Sequence, residues 1–128
     1  MGNQFFQKWE IADIPNVRYD IDNIAWTSAG LTFTITPAER GSDKPFQMIW
    51  EASSVICYHI TDETYRSDCW ELDFQKNGRF YATKSSNYID EIRENSPLFP
   101  EEVIHFTIVG TNTIVDLIAK NYPVIRNE

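Results

Sequence analysis

Leu31, Phe33 and Ile35 alternate with Thr32, Thr34 and Thr36. Successive side chains of a strand point to opposite faces, so this spacing gives one apolar face and one polar face. A helix would scatter the same residues around its circumference. Threonine and isoleucine also fit a pleated surface well. The period recurs: Phe46, Met48, Trp50 and Ala52 alternate with Gln47, Ile49 and Glu51, and Trp70, Leu72 and Phe74 alternate with Glu71, Asp73 and Gln75. A chain written this way must build sheets with one face in a core.

The rest of the chain supplies further strands. Val17, Tyr19 and Ile21 alternate with Arg18 and Asp20, which predicts a strand at about residues 17–26. Residues 55–60 form a nearly continuous β-compatible run, the pattern of a more deeply buried central strand. Asn77-Gly78 separates residues 70–75 from Phe80, Tyr81 and Ala82, and Asn-Gly between apolar runs signals a hairpin. A second hairpin is predicted from residues 103–109, the turn Gly110, Thr111 and Asn112, and residues 114–118. Asp116 inside that last segment points to a face that meets water. Ile114, Leu117 and Ile118 also fit a short helix.

Residues 86–95 read differently. Ser86 or Asn87 can cap a helix, Asp90 and Glu91 follow where the macrodipole favours anions, and Tyr88, Ile89 and Ile92 form an apolar stripe. So short a helix depends on packing. The fold class expected is mainly β (α+β): an antiparallel sheet of about 7–8 strands, rolled or sandwiched, with one short helix near residues 87–95. With 128 residues, eight Phe, six Tyr and four Trp, the chain can bury the core of a single globular domain over residues 1–128. Trp50 and Trp70 are expected in that core, while Trp9 and Trp26 are candidates for partial exposure.

Charge narrows the partners. The formal net charge is −8. Nucleic-acid binders neutralise phosphates with clustered Lys and Arg, and anionic membranes repel acidic chains, so neither partner is expected. A basic protein would be attracted and steered. The first fifteen residues lack a basic segment followed by an apolar one, and no run reaches the length of a membrane span, so a cytosolic location is expected. There, Cys57 and Cys69 would remain buried free thiols.

The densest acidic cluster lies between Asp62 and Asp73. A loop over residues 61–68 would feed a strand carrying Glu71 and Asp73 on one face, opposite Trp70 and Leu72. Asp62, Glu63, Tyr65, Asp68, Glu71 and Asp73 are the candidate partner-binding residues, with Tyr65 as an aromatic anchor. Asp90, Glu91 and Glu94 on the helix offer a rival surface. Catalytic, cofactor and metal sites are not expected. Cys57, His59 and Cys69 match no common zinc spacing, and no nucleophile elbow, Walker loop or dinucleotide fingerprint occurs. A plainer role for Cys57 and His59 is to pack or hydrogen-bond on one strand face.

The segments Tyr58-His59-Ile60-Thr61-Asp62-Glu63, Ser85-Ser86-Asn87-Tyr88-Ile89, His105-Phe106-Thr107-Ile108, Thr113-Ile114-Val115-Asp116-Leu117-Ile118 and Tyr122-Pro123-Val124-Ile125 carry a resemblance. This portion of the chain resembles small acidic bacterial proteins of the immunity type, which bind and neutralise a cognate toxin domain. The resemblance implies a cytoplasmic protein-binding module directed at a basic toxin domain. Immunity proteins span many unrelated folds, so it implies a role and assigns no residues. The alternative is a carrier for an apolar ligand, with aromatic side chains lining a rolled sheet. A small enzyme using Cys57 or Cys69 would instead need a readily reactive thiol.

Overall fold

The computed structural model describes residues 9, 17–38, 44–66 and 79–127. Its strands are β1 (Tyr19–Thr27), β2 (Gly30–Pro37), β3 (Phe46–Trp50), β4 (Val55–Asp62), β5 (Phe80–Thr83), β6 (Ile104–Val109), β7 (Thr113–Ala119) and β8 (Val124–Asn127). One α-helix, α1 (Asn87–Glu94), lies between β5 and β6. The strands form two four-stranded antiparallel sheets, ordered β1-β2-β3-β8 and β4-β7-β6-β5. The architecture is the sandwiched form of the mainly β fold that the alternation requires.

The alternating residues fill the space between the sheets. Leu31, Phe33 and Ile35 of β2 and Phe46, Met48 and Trp50 of β3 are buried against Phe106 and Ile108 of β6 and Val115 and Leu117 of β7. Trp50 stands at the centre, its ring 5.2 Å from Phe33 in its own sheet and 5.2 Å from Phe106 in the other. Trp9 closes one side of the core, 5.1 Å from Phe106. In β1 a bulge between Ile21 and Asn23 breaks the period. It lets both Ile21 and Ile24 reach the core although their spacing is odd. Trp26, beyond it, is 54% exposed.

The two hairpin strands β6 and β7 answer each other across the predicted Gly110 to Asn112 turn, so the helical alternative for residues 114–118 does not form. Six of the seven residues of β7 are buried, because it lies inside its sheet between β4 and β6. The central position expected for residues 55–60 therefore belongs to β7. Among the described residues strand β4 is an edge strand paired with β7 alone, and its side chains are half-buried or exposed. Its β-branched run covers the rim of the sheet rather than its middle.

The second sheet also carries a smaller apolar cluster on its outer face. Ile89 of α1 packs there with Val103 and Ile118, joined by Tyr88, Ile92, Ile56 and Cys57. The helix thus shields part of that face. Strand β8 has no alternation long enough to mark it in the sequence; antiparallel pairing with β3 defines it. The hairpin expected at Asn77-Gly78 and residues 70–75 lie outside the described residues, whereas Phe80, Tyr81 and Ala82 lie in β5.

Candidate functional site

Beside α1 on the outer face is a cavity of about 410 Å³, lined by polar and aromatic side chains together. Outward-pointing positions of the second sheet form its floor: His59 and Thr61 from β4, Asp116 from β7, His105 and Thr107 from β6. The register explains the grouping. Asp116 lies opposite Thr107 on one side and His59 on the other. One wall is a short 3-10 turn, Glu63–Tyr65, followed by Arg66; the other is the first turns of α1, with Tyr88 and Glu91.

Asp116 organises the floor. It is 4% exposed, so the water-facing role expected of it is corrected. The apolar run around it is matched by polar partners on neighbouring strands, and the carboxylate is buried by being satisfied. His105 Nε2 lies 2.7 Å and Thr107 Oγ1 2.8 Å from Asp116 Oδ1, while Arg66 Nη1 donates to Oδ2. Burial pushes the Asp116 carboxyl up, but the His105 and Thr107 hydrogen bonds and the Arg66 charge outweigh it and hold the carboxyl below its ordinary value. An ionised carboxylate only accepts, so His105 Nε2 carries a proton; in the neutral ring Nδ1 then accepts from Ser86 Oγ, 2.8 Å away.

Ser86, His105 and Asp116 contain the elements of a relay that activates serine in acyl transfer. Their other bonds give them different work. Ser86 Oγ belongs to a residue only 2% exposed and accepts the Ile89 N–H at 3.1 Å as the N-cap of α1. Arg66 already neutralises the carboxylate that would stabilise an imidazolium. The chain Arg66–Asp116–His105–Ser86 is a brace. It fixes the turn at one end and the helix start at the other, across the floor of the cavity.

The turn is fixed at further points. Asp62 Oδ1 accepts the Thr64 N–H at 2.9 Å, which lowers the Asp62 carboxyl from its ordinary value. The Glu63 N–H donates to the Asn112 carbonyl at 3.0 Å, tying the turn to the β6–β7 connection. Held this way, Tyr65 is 79% exposed. Burial is the main influence raising the Tyr88 hydroxyl above its ordinary value, and its hydrogen bond to Cys57 adds to this. Cys57 is a half-buried free thiol. His59 shares its strand face, bonding Thr61 at 3.0 Å and meeting the Tyr88 ring edge-on.

Of the six candidate binding residues, Asp62, Glu63 and Tyr65 lie together on one turn, of which Tyr65 lines the cavity, and Asp68, Glu71 and Asp73 lie outside the described residues. Of the rival helix acids, Glu91 lines the same cavity as Tyr65, and Asp90 and Glu94 do not. The floor residues His105, Thr107 and Asp116, and Arg66 of the wall, are not singled out as a site by the sequence. A lone aspartate in the apolar run of β7 was their one sequence signal. Among the described residues no group of three or more His, Cys, Asp or Glu is placed to hold a metal ion, and no helix is long and apolar enough to cross a membrane. Cys69 lies outside the described residues.

No protein-family model, curated protein or solved structure matches the chain.

Proposed function

We propose that this chain is a cytoplasmic protein-binding module of the immunity type, which neutralises a basic toxin domain through the acidic wall formed by Asp62, Glu63 and Tyr65. One observation carries the reading: a largely exposed tyrosine stands on an acidic turn that a buried ion pair holds to the sheet. Exposing an aromatic ring on a rigid support limits the ordering cost of association, and tyrosine is enriched among residues that dominate binding energy. The net charge of −8 favours a basic partner and fast encounter. An apolar-ligand carrier is less well supported, because Phe33, Trp50 and Phe106 fill the space between the sheets where its ligand would sit.

The test is retention of partners by the tagged chain from lysate of its source at low and high salt, with the retained proteins identified and their association kinetics measured. A single basic protein should be held at low salt and weakened at high salt. Tyr65→Ala should weaken it by about 2 kcal/mol, the threshold for a dominant contact. Charge reversal at Asp62 and Glu63 should mainly slow association. A specific partner indifferent to all three changes would remove this wall from consideration, and no specific partner at either salt would count against the binding role itself.

A further inference from the structure

Among the described residues one charge lining the cavity has no ion-pair partner. The cavity floor is internally balanced: Asp116 faces Arg66, and His105 is held between Asp116 and Ser86. Glu91 on α1 is different. It is exposed, it lines the cavity, and among the described residues no Lys, Arg or His lies within ion-pair distance of it. Arg93, the basic residue of α1, is engaged elsewhere: it lies 3.8 Å from Asp90 and 5.2 Å from the centre of the Phe99 ring. Aromatic rings stand beside Glu91, with Tyr88 on the same helix and Tyr65 on the facing turn. A carboxylate among tyrosine rings attracts a cation twice, through its charge and through the negative faces of the rings.

An anionic occupant fits poorly, because Arg66 is committed to Asp116 and Glu91 would repel it. A planar guanidinium can stack on a ring and donate two parallel hydrogen bonds to a carboxylate, which an ammonium cannot. The volume of about 410 Å³ also suits a long side chain with some retained water. We propose that this cavity receives an arginine side chain of the basic partner, its guanidinium held by the Glu91 carboxylate and the Tyr65 and Tyr88 rings. The inference rests on the partner-binding reading and names the group that the surface recognises.

The probe is N-acetyl-L-arginine amide, titrated into the full chain and followed by backbone amide shifts, with the neutral N-acetyl-L-citrulline amide as control. Saturable shifts should centre on Tyr65, Tyr88 and Glu91, and citrulline should give none of comparable size. Glu91→Gln, an exposed change that leaves thermal unfolding unaltered, should weaken arginine binding about tenfold, the range of a charge-assisted hydrogen bond. Equal binding of citrulline, unchanged affinity in Glu91→Gln, or shifts scattered over every acidic surface would each overturn the cavity assignment. A Tyr65-dependent partner with no arginine site would leave the binding surface standing and refute only this inference. An arginine site with no retained partner would refute the partner reading instead.

Discussion

Asp116 shows how one buried charge is made tolerable and then used. Its carboxylate accepts from His105, Thr107 and Arg66, so the desolvation cost is offset by donors on three sides. Asp116→Asn removes the charge that Arg66 and His105 are bonded to and should cost about 3 kcal/mol in urea unfolding, because losing one member of a buried ion pair is strongly destabilising. The pH dependence follows from the lowered carboxyl. Its folded value lies below the ordinary 3.8, so in acid the unfolded chain binds the proton first. The stabilisation is complete above about pH 4 and is lost as pH falls through the folded value. The acid limb of stability against pH should therefore be steeper in the native chain than in Asp116→Asn. Parallel limbs would show that this carboxylate does not link folding to protons.

At the scale of elements, turns and caps fix where strands begin and end. Gly30 opens β2 with φ +126°, a conformation closed to L side chains, and a Cβ there would lie 2.1 Å from the Trp50 carbonyl oxygen. Gly30→Ala must strain the β1–β2 connection and push β3 away. A glycine change at a compatible position stabilises by up to about 1 kcal/mol, whereas this one should destabilise by more than that amount, read as a fall in Tm. An unaltered Tm would mean that the turn rearranges freely. The helix α1 starts where Ser86 caps it and packs through Tyr88, Ile89 and Ile92, and its capping residue and stripe were legible in the sequence. The edge position of β4 was not, because apolar content along a strand reports burial and not strand order. In β4 that content is spent on the helix and on the cavity rim.

On the scale of the whole molecule, the two sheets share one core and cannot be stabilised separately. Phe106 touches Trp50 from the opposite sheet, Trp9 from the N-terminal segment and Tyr122 from the β7–β8 connection. Phe106→Ala should cost about 3–5 kcal/mol, and tryptophan fluorescence and far-ultraviolet circular dichroism should still report one coincident transition. Two separated transitions would mean that the sheets unfold independently. The same shared core leaves the outer face of the second sheet free for α1 on one part and the cavity on the other. That division places the acidic turn and the helix acid Glu91 around a single opening.

The sequence by itself determined the periods, and through them the strands β2 and β3, the core residues that alternate along them, the capped helix and the acidic balance of the chain. These are local properties, set by side chains two or three to four positions apart. Only the tertiary structure decided that Asp116 is buried and satisfied, because its donors come from Arg66, 50 positions away, and from His105 across a strand pair. It also decided that Tyr65 and Glu91 face one cavity. Sheet order and register bring such residues together, and neither is written in the spacing of any single segment.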